Sequence, residues 1–297
     1  YIRCWDDWKW ISISFAGMLI MYLAIGAWEI ITANHIVHGK DIVKLTEHTP
    51  LVFWVNENDA GVMFSLLLIN LLMLYWSDKR NTDKKTIFAI LGIITLVEIY
   101  FTNGRGSIIG LFTLIIFGIY FYVLSKVEEK NAKLGKIILI SCIAIVAIII
   151  TVMLIAHPMV WYVERFSSDK EVSSSDVFRL GLIVDSFNAF VTSHLLGVGP
   201  GQLIKVNGMP IHFFYLEMLF EYGIFVGGYL LYIFARIAFR FQPNISSPLR
   251  SIIRATPIAF IMLGVSTSKM FLMRPMWILF VLIYTCGDVF HKDLQID

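Results

Sequence analysis

The chain has 297 residues, of which 58% are hydrophobic, 15% charged and 14% aromatic, and its formal net charge is +2. Because soluble domains carry about 25% charged residues, this composition excludes a soluble globular protein and indicates an integral membrane protein. The small net charge and the scattered basic tracts exclude nucleic-acid binding. The three cysteines are far apart, so they indicate neither a disulfide framework nor a zinc site.

Eight apolar runs approach or exceed the length of a spanning helix, which needs roughly 20 residues. They predict spans at residues 10–33, 58–76, 87–103, 106–125, 137–156, 212–235, 255–270 and 275–290. Two long hydrophilic stretches, residues 34–57 and 157–211, interrupt the series. The sequence therefore predicts an all-α fold, a polytopic transmembrane helical bundle in which residues 1–297 form a single membrane domain.

The lysines and arginines predict the orientation, since short cytoplasmic loops retain an excess of them. Most of them lie in the N-terminal segment and in the short loops after the second, fourth and sixth predicted helices. This pattern puts the C-terminus in the cytoplasm and makes residues 157–211 a large extracytoplasmic loop. It also puts Arg105, Arg179 and His212 on the outward-facing side.

The large outer loop contains a predicted amphipathic helix from Asp176 to Ser193, with a serine or Asp176 as its N-cap. Its apolar residues recur with helical spacing at Val177, Leu180, Val184, Phe187 and Val191. We expect this helix to lie along the membrane surface. Arg179 falls in its predicted first turn, where free backbone amides favour phosphate binding. The alternative is an arginine that is solvated or reaches lipid phosphates.

Arg105 lies between Gly104 and Gly106, at the junction of two apolar runs. An unpaired charge at membrane depth is costly, so such a residue usually has a functional partner or reaches the interface. The planar guanidinium binds phosphate in bidentate fashion. The alternative is a corner between two helices whose arginine anchors to lipid headgroups.

The segment MPIHFFYLEMLFEYG, residues 209–223, brings three ionisable groups to the start of the sixth predicted span. His212 can accept a proton near neutral pH. Glu217 and Glu221 are four residues apart, so they share a helix face that must turn toward protein or water. The alternative for His212 is a hydrogen-bonded structural residue at the helix end.

Two further motifs have simpler interpretations. The glycines of GVGPGQ, residues 197–202, suit a tight turn, and the absence of a following lysine and serine or threonine excludes a P-loop. In VNENDA, residues 55–60, Asn56 or Asn58 caps the second helix or contacts sugar hydroxyls. The outer-loop histidines lack matching carboxylates, so no metal site is predicted.

Taken in order, VNENDA, NGRGS, R(x)17GVGPG and H(x)2YL(x)4E(x)G resemble the motifs of the O-antigen ligase and polysaccharide polymerase superfamily of bacterial membrane glycosyltransferases. The resemblance covers nearly the whole chain and is most specific at residues 209–228. Members of this superfamily typically have more helices than the spans predicted here. The resemblance, together with a first residue that is not methionine, therefore implies that this chain is the C-terminal two-thirds of a longer protein.

The resemblance implies glycosyl transfer from an undecaprenyl diphosphate-linked oligosaccharide at the outer face of the bacterial cytoplasmic membrane, without metal or cofactor. Arg105 and Arg179 match the superfamily's diphosphate-binding arginines, and His212 matches its catalytic histidine. Phe213 departs from the asparagine that commonly follows this histidine. The candidate supporting residues are Asn58, Gly199, Tyr215, Glu217 and Glu221.

These residue types suit the implied chemistry. Two arginines can stabilise the charge that develops on the leaving diphosphate, and a base can deprotonate the acceptor hydroxyl as it attacks from the opposite face. We expect a polysaccharide polymerase that is surrounded by membrane lipid and joins lipid-linked repeat units. A flippase and a chain-length regulator are its candidate partner proteins. The alternatives are an O-antigen-type ligase and a transporter or flippase of lipid-linked sugars.

Overall fold

The computed structural model describes residues 2, 4–34, 50, 52, 57–77, 82–102, 105–131, 174–207, 211, 213–240, 245–264 and 274–293. Over these residues the regular secondary structure is entirely α-helical, which confirms the predicted all-α class. The helices are α1 (Trp5–Thr32), α2 (Glu57–Ser77), α3 (Thr82–Phe101), α4 (Arg105–Lys130), α5 (Ser174–Thr192), α6 (Leu203–Asn207), α7 (Phe214–Phe239), α8 (Ser247–Leu263) and α9 (Arg274–Asp293).

Among the described residues, four helical segments are long and apolar enough to cross a membrane. They are Trp5–Thr32, Asp59–Ser77, Gly106–Glu128 and Phe214–Phe239, and they coincide with the first, second, fourth and sixth predicted spans. Helices α3, α8 and α9 correspond to the third, seventh and eighth. The predicted fifth span, residues 137–156, lies outside the described residues. The fold is therefore that of a helical membrane protein.

The chain divides into two compact units. Unit 1 comprises Tyr1–Tyr122, His212–Tyr215 and Tyr229–Asp297, and unit 2 comprises Val123–Ile211 and Leu216–Gly228. Helices α4 and α7 contribute residues to both units. That residues 1–297 form a single membrane domain stays a prediction.

Helix α2 forms the centre of unit 1, where it packs against α1, α3, α8 and α9. Buried polar side chains join the helices. Ser12 Oγ donates to Asn70 Oδ1 at 2.7 Å, and Asn70 Nδ2 donates to the Ser12 carbonyl at 2.9 Å. Trp8 Nε1 donates to the Leu282 carbonyl at 2.8 Å. Because unpaired polar groups are costly in an apolar interior, these bonds help to select the register of the packed helices.

Helix α8 begins earlier than the hydropathy pattern predicts, since Ser247–Arg254 are helical rather than part of a loop. Arg250 and Arg254 are each only 1% exposed. Arg250 Nη2 donates to the Ile245 carbonyl at 2.6 Å, and Arg254 Nε donates to the Ala238 carbonyl, near the end of α7, at 2.9 Å. Both guanidinium groups therefore satisfy main-chain carbonyls, which explains how a polar segment can be buried.

Candidate functional site

Helix α5 begins at Ser174 and ends at Thr192, close to the predicted limits. One face is buried within unit 2 and carries Leu182, Ser186 and Phe190. The predicted apolar stripe lies elsewhere: Val184, Phe187 and Val191 are 49%, 52% and 47% exposed. A helix that lies along a membrane surface must leave such a stripe free for lipid. The exposed stripe is therefore compatible with the predicted surface helix.

A short helix, α6, and the part of α7 that belongs to unit 2 complete the packing against the buried face of α5. Asn207 Nδ2 donates to Ser186 Oγ at 2.6 Å and to the Leu182 carbonyl at 3.4 Å. The cluster around these bonds is apolar, and its buried members are Leu182, Phe190, Leu203, Ile211 and Phe220. Unit 2 therefore has a small hydrophobic core of its own.

After α5 the chain makes a tight turn that contains the GVGPG motif. His194 and Leu195 both adopt the left-handed conformation, with φ of 54° and 65°. Gly197 and Gly199 follow with φ of 88° and 100°. The Ser193 hydroxyl accepts a hydrogen bond from the Gly197 amide at 3.1 Å and supports the turn. The sequence prediction of a turn here agrees with this geometry.

Helix α7 is broken at Gly223, whose φ of 82° and ψ of 173° are not helical. A break frees main-chain groups that need new partners in an apolar environment. The GVGPG turn supplies them: the Val198 amide donates to the Phe220 carbonyl at 2.8 Å, and the Gly199 amide donates to the Glu221 carbonyl at 2.9 Å.

On the other side of the break, the Ile224 amide donates to the Leu195 carbonyl at 2.9 Å. We call this set of three main-chain hydrogen bonds, between residues 195–199 and residues 220–224, the turn–helix junction. It joins two sequence motifs, GVGPG and E(x)G, that lie about twenty residues apart along the chain. The junction explains why the break in α7 is tolerated.

Glycine is required on both sides of the turn–helix junction because the two backbones nearly touch. A Cβ atom at Gly197 would lie 2.5 Å from the Glu221 carbonyl oxygen and 2.5 Å from the Gly223 nitrogen. A Cβ atom at Gly223 would overlap the Leu196 carbonyl. Both glycines also have positive φ, which disfavours other residues. The motif glycines therefore serve the contact between the turn and α7.

Glu217 and Glu221 lie on the helical segment before the break, on one face as their spacing predicts. Glu221 is 7% exposed, and its Oε1 is buried and accepts no hydrogen bond from the residues that the structure describes. Glu217 is half-buried. The half-helix before Gly223 is therefore acidic, with Glu217 in its first turn and Glu221 near its carbonyl end.

The start of α7 is held within unit 1. The Phe214 amide donates to the Gly264 carbonyl at 2.9 Å, and a Cβ atom at Gly264 would lie 2.8 Å from Tyr215 Cε2. The Tyr215 ring also contacts the Phe234 ring, with 5.8 Å between centroids. In the structure Tyr215 is thus a packing residue at the start of α7.

Both predicted phosphate-binding arginines lie on helices. Arg105 is the first residue of α4, so its backbone belongs to a helix N-terminus, where free amides favour anions. Because α5 begins at Ser174, Arg179 lies beyond the first turn, and the prediction that it belongs to that turn is wrong. Asn58 is the second residue of α2.

The predicted catalytic residue His212 lies outside the described residues. Arg105, Asn58 and Tyr215 belong to unit 1, whereas Arg179, Gly199, Glu217 and Glu221 belong to unit 2. Within unit 2 the structure brings Gly199 to Glu221. The meeting of Arg105, Arg179 and His212 in one cavity stays a prediction. In the described part of the chain, no group of three or more histidine, cysteine, aspartate or glutamate residues could hold a metal ion.

Sequence reasoning missed two buried carboxyl groups in unit 1. Glu29 of α1 and Glu98 of α3 are 0% and 1% exposed. A signal was present, because each is an acidic residue within a predicted span. Ionisable residues in such positions are rare and often functional.

The chain is similar to a curated bacterial protein. That protein is the teichuronic acid biosynthesis protein TuaE of Bacillus subtilis (strain 168), which is 22% identical over 303 residues. The alignment covers 94% of this chain and 60% of TuaE, so the chain spans less than two thirds of that relative's length. No protein-family model matches the chain, and no solved structure matches it significantly.

Proposed function

We propose that this chain belongs to a multi-pass membrane protein of cell-surface polysaccharide synthesis. The similarity to TuaE, whose name assigns it to teichuronic acid biosynthesis, supports this role because it extends over 94% of the chain. The apolar helices of the described residues support a location in the membrane.

Within this role we propose a polymerase that lengthens a glycan carried on undecaprenyl diphosphate. The observation that carries the proposal is the turn–helix junction. Helix α5 bears Arg179, and the junction binds the turn after α5 to the part of α7 that follows His212. An enzyme that aligns a phosphate-binding arginine with a base needs such a rigid connection between them.

The proposed reaction breaks the bond between the anomeric carbon and the diphosphate oxygen and forms a bond from that carbon to the acceptor hydroxyl oxygen. Arg105 and Arg179 stabilise the negative charge on the departing diphosphate. His212 accepts the proton of the acceptor hydroxyl. The acidic segment with Glu217 and Glu221 accepts hydrogen bonds from sugar hydroxyls.

A second candidate function, transport of lipid-linked sugars, is favoured by the break in α7. Transporters commonly build substrate sites from discontinuous membrane helices. The two candidates differ in product: a polymerase makes longer glycans, whereas a transporter moves an unchanged one across the membrane. A ligase would transfer the finished glycan to a different acceptor.

The purified protein is reconstituted with undecaprenyl diphosphate-linked repeat units, and the glycan products are resolved by length. We expect a ladder of longer products, and we expect His212→Ala, Arg105→Ala and Arg179→Ala each to lower its rate at least 100-fold, within the range typical of lost base or charge stabilisation. Unchanged glycan length with movement of the lipid-linked sugar across the vesicle membrane would favour the transporter.

The chain offers matched controls for this assay. Arg274 is exposed and is the first residue of α9, as Arg105 is of α4, so Arg274→Ala removes a comparable helix-end charge. His194 is exposed and left-handed, so His194→Asn removes an imidazole while retaining a residue that tolerates this conformation. Both controls should keep the ladder. Full activity of all three site variants would show that the proposed site is wrong.

A further inference from the structure

Two buried carboxyl groups meet in unit 1 near the C-terminal ends of α1 and α3. Glu98 Oε2 lies 2.6 Å from the position that a Cβ atom at Gly26 would occupy. Gly26 and Glu29 are three residues apart on α1, so they share a helix face. Glu29 is also close enough to act electrostatically on Glu98. The carboxyl group of Glu98 therefore packs directly against the face of α1 that carries Glu29.

The two carboxyl groups have very different hydrogen bonding. Glu29 Oε2 accepts a hydrogen bond from the Val52 amide at 2.7 Å. Both oxygens of Glu98 are buried and accept no hydrogen bond from the residues that the structure describes. A buried carboxylate without partners is strongly disfavoured, and a like charge beside it adds to the cost. Something other than the described protein groups must therefore neutralise Glu98.

The environment of Glu98 suits a small ion. The same Cβ position at Gly26 lies 3.1 Å from Phe64 Cζ, so an aromatic ring closes one side. Thr102 directly follows the end of α3, and it lies beside Ser107 of α4 where both approach Gly61. Ser107 Oγ is a second buried group that lacks a hydrogen-bond partner within the described ranges. These groups present oxygen atoms, which hard cations prefer.

Other ionisable groups lie at the same end of the helices packed here. The structure describes Glu57 and Asp59 in the first turn of α2, Arg105 as the first residue of α4 and Arg274 as the first residue of α9. This set holds two acidic and two basic residues, so with Glu29 and Glu98 the acidic residues described at this end number four against two. The local charge therefore favours a cation.

We propose that Glu29 and Glu98 form a buried site for one small monovalent cation, either a proton or a sodium ion. A proton on Glu98 would remove its charge and supply a donor to Glu29. A sodium ion would bridge the two carboxylates. The proposal does not depend on glycosyl transfer, so it can fail or succeed independently of the proposed function.

The test measures thermal unfolding of the purified protein, by tryptophan fluorescence, in sodium and choline buffers of equal ionic strength over a range of pH. If sodium is bound, the Tm rises with sodium concentration at alkaline pH. If a proton is bound, the neutral form is favoured by the folded state, so the Tm falls as the pH rises from mildly acidic to alkaline in both salts. Glu98→Gln should abolish whichever dependence is found.

The control variant is Asp6→Asn, which neutralises an exposed carboxylate on α1 and should leave the dependence unchanged. A Glu98→Gln protein whose Tm varies with pH and sodium as in the wild type would overturn the proposal. If that variant does not fold, infrared spectroscopy of the wild type decides: a bound proton gives a protonated-carboxyl band at neutral pH. Absence of this band together with absence of a sodium effect would also overturn the proposal.

Discussion

The turn–helix junction of unit 2 and the carboxyl pair of unit 1 both place polar groups in apolar surroundings, but they satisfy them differently. At the junction, the freed main-chain groups of Phe220, Glu221 and Ile224 receive partners from the preceding turn. In unit 1, Glu98 is buried without a hydrogen-bond partner among the described residues. The first arrangement is complete within the chain, whereas the second needs an occupant. Substitutions should therefore disturb the first through its geometry and the second through its charge.

The largest effect is expected for Gly223→Ala. A methyl group there would meet the Leu196 backbone, and the residue's φ of 82° is strained for alanine. Positive-φ strain and overpacking together predict a loss of about 3 to 5 kcal/mol, measured by denaturant titration of the protein in bicelles. Gly228→Ala is the control, because a Cβ atom there meets nothing within 4 Å and the position is helical. Equal stability of both variants would show that the junction does not constrain α7.

A smaller loss is expected for Gly197→Ala, on the other side of the junction. Gly201→Ala separates backbone strain from steric clash. Gly201 also has a positive φ, at 69°, but the space around its Cβ position is open. We expect Gly201→Ala to cost about 1 kcal/mol from conformation alone, and Gly197→Ala to cost about 2 to 4 kcal/mol because of the added clash. The same titration checks this order, and similar losses at both positions would remove the argument from close approach.

In unit 1, Gly26→Ala should cost about 1 to 2 kcal/mol, less than the junction variants, because the atoms displaced are side-chain atoms of Glu98 and Phe64 that can move. In a Glu98→Ala background this cost should shrink, and the difference measures the contact between Gly26 and Glu98. Gly17→Ala serves as the control on α1, since its Cβ position is open. Strict additivity of the two changes would indicate that the carboxyl group does not pack on α1.

The smallest effect is expected for the bond between Ser12 and Asn70. A double-mutant cycle with Ser12→Ala and Asn70→Ala should give a coupling of about 0.6 to 1 kcal/mol, the usual range for side-chain hydrogen bonds between membrane helices. The pair Ser12→Ala and Thr113→Ala provides an unconnected control, because the Thr113 hydroxyl bonds the Ile109 carbonyl of its own helix. A coupling near zero for Ser12 and Asn70 would mean that packing alone selects the register of α1 and α2.

Much of the local structure could be predicted from the sequence. Apolar runs located α1, α2, α3, α4 and α7, because a helix is the way for a single segment to satisfy its backbone in hydrocarbon. Glycine content also indicated a turn at residues 197–202. The early start of α8 was missed because a hydropathy pattern cannot show that Arg250 and Arg254 find carbonyl partners in the folded chain.

The candidate site is a harder case. Motif order suggested Arg105, Arg179 and His212, and it suggested that GVGPG and E(x)G belong to one function. It did not suggest that these two motifs touch, nor that α7 is broken at Gly223, because Gly223 lies within a continuous apolar run. The buried pair of Glu29 and Glu98 was equally hidden, since hydropathy averages over single charges.

The sequence by itself therefore determined the class of the protein and the position of most of its helices, through the length and apolarity of segments that depend only on neighbouring residues. The tertiary structure decided where α7 breaks and which carboxyl groups are buried. Both depend on contacts between segments that are far apart in the sequence. Gly223 can leave the helix because residues 195–199 provide hydrogen-bond partners for the freed main-chain groups. Glu98 can approach α1 because residue 26 has no side chain.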